Sequence, residues 1–190
     1  GKSAFAKRQM VGMAGAGVRP VVLGDPKGEY SELVRRMGGQ VIRVGRGLDR
    51  INPLDSQAFA AADPMETRAR RLTLVLALCG LVRKDRVVGN GEEVVLAAAI
   101  DGLSGHGVDP TVPDVLRALQ DPAANVMDAA QVRSVEQYDS VTQELRWTLS
   151  LLCEGSLKGV FDRASTRQFD PSAPAVAVDL SAVDDETLMG

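Results

Sequence analysis

The feature that most limits the fold is an alternation of helix and strand at the start of the chain. SAFAKRQMVGMA, from Ser3, has few helix breakers, and GAGVRP, Gly15 to Pro20, ends it. PVVLGD then reads as a short, buried strand. A second helix runs from Glu29 to Met37, Gly38-Gly39 closes it, and QVIRVG is the next strand. Helix, strand, helix, strand within about 45 residues is the rhythm of a parallel α/β sheet, since each strand must be carried back before the next can lie parallel to it.

The middle of the chain breaks that rhythm. Asp63-Pro64 opens a helix that continues from Met65 to Lys84. After the turn Gly89-Asn90-Gly91, a second runs from Glu92 to Leu103. TVPDVLRALQ, from Thr111, is a third, with Pro113 in its first turn. A long fourth spans Val132 to Leu152, where Val135, Tyr138, Val141, Leu145, Leu149 and Leu152 recur at helical spacing along one face. PAVAVDL, Pro174 to Leu180, returns to strand. The expected division is residues 1–62 as the first part of an α/β core, 63–154 as an all-helical insertion, and 155–190 as the return to the core.

Composition narrows the classes. Aromatics are only 4%, so the core must rest on Val, Leu and Ala. A net charge of -3 implies no general attraction to nucleic acid or anionic membrane. Cys79 and Cys153 sit in apolar helical contexts and read as reduced core thiols, which suits a cytoplasmic compartment. The longest apolar run, LTLVLALCGLV, is far shorter than the roughly 20 residues of a spanning helix, so no transmembrane segment is expected in this chain.

Two segments carry chemistry. Gly1-Lys2-Ser3 matches the end of the phosphate-loop pattern G-x-x-x-x-G-K-[S/T]. As a loop end, it would aim the free N–H groups of the following helix at a phosphate. Lys2 would reach the β- and γ-phosphates, and the Ser3 hydroxyl would ligate Mg²⁺. As a plain terminus, it would be frayed chain. The second segment is DPKGEY, Asp25 to Tyr30, directly after the strand PVVLG. Ligand chemistry in open α/β sheets lies at the carboxyl ends of strands. Pro26 disfavours helix at Asp25, Gly28 allows a tight turn, and Glu29 would face the same crevice, where a carboxylate can orient water or hydrated Mg²⁺ near a γ-phosphate. The plainer alternative is a strand-to-helix turn with Glu29 in the first helical turn. One helix and one strand separate Lys2 from Asp25, which places both at one edge of a parallel sheet.

Other candidates carry less. GMAGAG, Gly12 to Gly17, falls at a helix end and lacks the dinucleotide-loop order. His106 is the only histidine and has no second ligand for a metal. RARR, Arg68 to Arg71, reads as a solvated helix face, and Trp147 as a packing residue.

GKS, DPKGEY, MGGQVIRV and INPLD (Ile51 to Asp55), in that order, resemble the motor domain of the conjugative type IV secretion ATPases. These belong to the HerA/FtsK superfamily of RecA-like P-loop motors. GSLKGVFDRAST, Gly155 to Thr166, resembles the glycine–phenylalanine segment that follows their helical insertion, and AVAVDLSAVDDE resembles their next strand. The resemblance covers nearly the whole chain and implies a partial RecA-like P-loop parallel sheet with a large all-helical insertion. It implies ATP and Mg²⁺ as cofactors, with Gly1, Lys2, Ser3 and Asp25 binding nucleotide, Ser3 holding the metal, and Glu29 and Lys2 as catalytic residues. It further implies a homo-hexamer at the cytoplasmic face of the inner membrane, working with other secretion-system components and with DNA as a further partner. The first half of the nucleotide loop and the second acidic motif are not present: Asp179 ends an apolar strand, but Leu180 follows it, not Glu. The expectation is a fragment, inactive alone, running from the end of the Walker A motif to before the Walker B motif. Two other functions fit the same residues: a HerA- or FtsK-like DNA translocase, and a non-enzymatic interaction module that uses the helical block as a docking surface.

Overall fold

The strand nearest the carboxyl terminus lies between the two nearest the amino terminus. The computed structural model describes residues 2–25, 27–45, 47–56, 63–84, 86–104, 108–155, 157–170 and 172–183, with Lys2, Leu23 and Gly24 described by backbone alone. In it β1 (Val21–Asp25), β2 (Gln40–Arg43) and β3 (Val176–Asp179) form a parallel sheet in the order β1-β3-β2. Val176 is opposite both Val21 and Gln40, and Asp179 is opposite both Asp25 and Arg43. All four residues of β3 are buried, which is why its sequence reads as an unbroken apolar run up to Asp179.

The faces of β3 alternate, and they differ. Val176, Val178 and Leu180 join the main core with the helical block. Ala175 and Ala177 face the other way and pack with Met10 of α1 (Lys2–Gly15) and Val34 of α2 (Ser31–Arg36). Small side chains let these helices lie close to the sheet. At Gly39 the approach is closest: a Cβ there would stand 2.4 Å from the Ala175 carbonyl oxygen and 2.8 Å from a Val34 methyl group. By the same alternation Asp179 belongs to the α2 face.

Between β2 and β3 the chain forms a helical block: α3 (Pro64–Val82), α4 (Asn90–Leu103), α5 (Val112–Gln120), α6 (Ala124–Ala130) and α7 (Val135–Glu154). The caps explain three of the starts. Asp63 accepts from the Met65 N–H at 2.9 Å, with Pro64 in the first turn. Glu92 reaches back to the Gly89 N–H at 2.8 Å, and Asp114 to the Thr111 N–H at 2.8 Å. This mixed α/β architecture, with a small parallel sheet and a helical insertion, is the fold class the alternation implied.

Several expectations need correction. α6 was not foreseen: it is one short helix with a single buried residue, Val126, so no periodic face announces it. On α7, Tyr138, Leu145, Leu149 and Leu152 are buried as expected, but Val135 is 64% exposed and Val141 half-buried. Thr142 and Thr148 are buried in their place, their hydroxyls bonded to the carbonyls of Tyr138 and Glu144. Trp147 does not pack; it is 62% exposed. RARR is not one solvated face either. Arg68 and Arg70 pair at the surface with Asp101 and Glu66, but Arg71 is buried and bonds Asp109 and Ser104. The helix after DPKGEY begins at Ser31 rather than Glu29. His106 lies outside the described residues.

Two segments quoted above for their resemblance turn out to be partners. The Ile51 N–H donates to the Val160 carbonyl at 3.0 Å, and the Asn52 N–H to the Ser165 hydroxyl at 2.9 Å. The buried Asn52 amide also donates to the Pro110 carbonyl at 2.9 Å, tying INPLD to the helical block.

Candidate functional site at the carboxyl edge of the sheet

The buried Asp25 ends β1 and organises the loop that follows. Its carboxylate accepts the Glu29 N–H at 3.0 Å and the Tyr30 N–H at 2.7 Å. Its backbone carbonyl accepts the Gly28 N–H at 3.3 Å. Those bonds hold Glu29 and Tyr30 in a turn and delay the helix to Ser31. Gly28 has φ +63°, a conformation that glycine adopts without strain. Glu29 is exposed, and its carboxylate has no partner among the described residues.

Asp179, at the end of the neighbouring strand, closes the loop from the other side. One carboxylate oxygen accepts the Ser31 hydroxyl at 2.9 Å and the other accepts the Ser181 N–H at 2.9 Å. A Cβ on Gly28 would lie 3.6 Å from each oxygen, so the loop backbone passes directly over this carboxylate. Burial pushes the Asp179 pKa up, but the hydrogen bonds from Ser181 and Ser31 and the Arg43 charge outweigh it and hold it below its usual value. Arg43 makes a longer ion pair with it: its Nε is 3.8 Å away and its side chain is mostly exposed.

α1 reaches the same edge. Met10 packs near the entry to β3, while Lys7, one turn earlier, places its ammonium 5.5 Å from the centre of the Tyr30 ring. The helix therefore runs against the strands, with its amino terminus toward their carboxyl ends. Ser3 is exposed in its first turn, beside Lys2. The first N–H groups of such a helix have no intrahelical acceptor and favour an anion. Gly1 lies outside the described residues. An exposed hydroxyl and an unpartnered carboxylate are hard oxygen donors of the kind Mg²⁺ takes, so the donor set fits a magnesium–nucleotide ligand.

Sequence reasoning missed Ser31 and Asp179 as a pair. Asp179 is visible as an acid ending an apolar strand, but nothing local marks a partner so far away in the chain. An apolar cavity of ≈ 120 Å³, lined by Leu74, Leu78, Phe161 and Phe169 among others, lies on the opposite face of β3 and offers no polar chemistry.

No family model matches the chain, and no curated protein matches it by sequence. Among solved structures, VirB4 of Thermoanaerobacter pseudethanolicus matches with a TM-score of 0.50 and 20% identity, over 96% of this chain and 67% of that one. The fold is type IV secretion ATPase-like. At this identity the similarity speaks for the fold alone, and it extends through both the sheet and the helical block.

Proposed function

We propose that this chain is part of the motor core of a type IV secretion ATPase that powers transfer of DNA or protein across the cell envelope. The observation that carries the reading is the ammonium of Lys7 on α1 lying over Tyr30, next to the loop that Asp25 holds around Glu29, with Ser3 about one turn earlier on the same helix. In this reading residues 63–154 are an insertion in a core formed by 1–62 and 155–190. Gly1, Lys2 and Ser3 bind the phosphates of ATP, Ser3 also holds Mg²⁺, and Asp25 shapes the loop beside the nucleotide. Glu29 orients the attacking water and accepts its proton. Bound Mg²⁺ would neutralise charge developing on the phosphates. The working form is a homo-hexamer of the HerA/FtsK type on the cytoplasmic face of the inner membrane, with other secretion components and DNA as partners. Among the described residues no helix is long and apolar enough to cross a membrane.

Glu29→Gln in the full-length protein tests the reading. Turnover is expected to fall at least about a hundredfold, with Mg-ATP affinity within about twofold of the parent. Unchanged turnover would sink it. A second reading, that the helical block docks a partner, is favoured by Trp147 and Leu151, which are exposed one turn apart on α7. Stoichiometric partner binding without nucleotide dependence would be its mark.

A further inference from the structure

We propose that Asp179 is a positioning residue: through Ser31 it fixes the loop that presents Glu29 at the sheet edge. The inference rests on the nucleotide-site reading above and extends it to a residue on another strand.

The geometry is specific. Asp179 lies on the same face of β3 as Ala175 and Ala177, so alternation aims it at the start of α2. It is 4% exposed, and each of its oxygens has a hydrogen-bond donor, the Ser31 hydroxyl on one and the Ser181 N–H on the other. Ser31 is equally buried and is the first residue of α2, directly after Glu29-Tyr30. Asp25 grips the same two residues by their N–H groups from β1. The loop is therefore clamped by two carboxylates on hydrogen-bonded strands, tied by the Leu180 N–H to the Asp25 carbonyl at 3.0 Å. If only Asp25 held it, the loop could pivot about one strand end; the Ser31 bond removes that freedom. Both clamps are made chiefly of directional hydrogen bonds; among the described residues the mostly exposed Arg43 adds a longer ion pair to Asp179 at 3.8 Å.

The test uses Ser31→Ala, Ser31→Thr and Asp179→Asn in the full-length protein, each alone and with Glu29→Gln. Ser31→Ala and Asp179→Asn should lower kcat for Mg-ATP hydrolysis by about tenfold to a hundredfold with KM within about twofold, since a small misplacement of a reacting group acts on the chemical step. Ser31→Thr keeps the hydroxyl and should restore most of kcat. In the Glu29→Gln background Ser31→Ala should add little, because the group it positions has already gone. An equal loss in both backgrounds, or an undiminished kcat in Ser31→Ala, overturns the proposal. Amide exchange at Glu29 and Tyr30 gives a readout independent of turnover: it should quicken in Ser31→Ala and recover in Ser31→Thr. If Glu29→Gln keeps full turnover, the functional reading falls and exchange alone decides the placement, with unchanged exchange overturning it.

Discussion

The helical block and the carboxyl edge of the sheet both bury charge, but they satisfy it in different ways. In the block, cations and acids are paired. The buried Arg83 makes two hydrogen bonds to Glu92, at 2.9 and 2.6 Å, and a third to the Thr148 hydroxyl at 2.8 Å. That arrangement links α4 and α7 to the end of α3. Arg71 pairs with Asp109, whose other oxygen accepts from both the backbone and the hydroxyl of Ser56. At the sheet edge two buried acids are held by backbone N–H groups and a serine hydroxyl, and among the described residues Arg43, mostly exposed, pairs with Asp179 at the longer distance of 3.8 Å. Paired charges lock helices into one arrangement, and removing one partner strands the other. Acids bonded to a backbone fix the path of a loop, as a site on the surface requires.

Substitution at Glu92 should have the largest effect on stability. Glu92→Ala leaves the Arg83 guanidinium buried without its carboxylate, and unfolding by urea should show a loss of about 3–5 kcal/mol. A loss under about 1 kcal/mol would mean that the block does not depend on its paired charge.

Acid should produce a smaller, shared effect. At Glu92, burial raises the pKa, but the Arg83 hydrogen bonds and charge and the Gly89 N–H bring it below its ordinary value, and Asp179 is lowered as well. A carboxyl whose folded pKa is depressed binds fewer protons folded than unfolded, so its stabilisation is complete above about pH 4–5 and is lost as pH falls through the lowered folded value. Urea unfolding from neutral pH to about pH 3 should show stability falling in that window, with Asp179→Asn removing one share of the fall and leaving the Glu92 share. A slope that Asp179→Asn leaves untouched would deny that the edge acid is ionised and held by its hydrogen bonds.

How much was legible in the sequence follows the range of the interactions. β1, β2 and β3 lie where their apolar runs placed them, and the caps at Asp63 and Thr111 were readable because each closes within three residues. Both cysteines are buried, and burial pushes each thiol up to about 12, as core thiols require. The insertion of β3 between β1 and β2 was not readable, since nothing in VAVD states which strands it will join. Arg71 looked like its neighbours in RARR because its partner, Asp109, comes 38 residues later. Trp147 looked like core because aromatic residues usually pack, and its exposure shows only once α7 is turned by Tyr138, Leu145 and Leu149. At the candidate site the sequence placed Asp25 at a strand end but not its grip on Glu29 and Tyr30, nor the Ser31–Asp179 bond across 148 residues.

In the proposed function, the sheet edge where α1 meets the DPKGEY loop holds a nucleotide. The most direct measurement is Mg-ATP affinity in the full-length protein, parent against Lys2→Ala. The parent should bind, and binding should weaken by about tenfold or more on substitution, as follows from the loss of a charge-assisted phosphate contact. Equal affinity in the two proteins would contradict it.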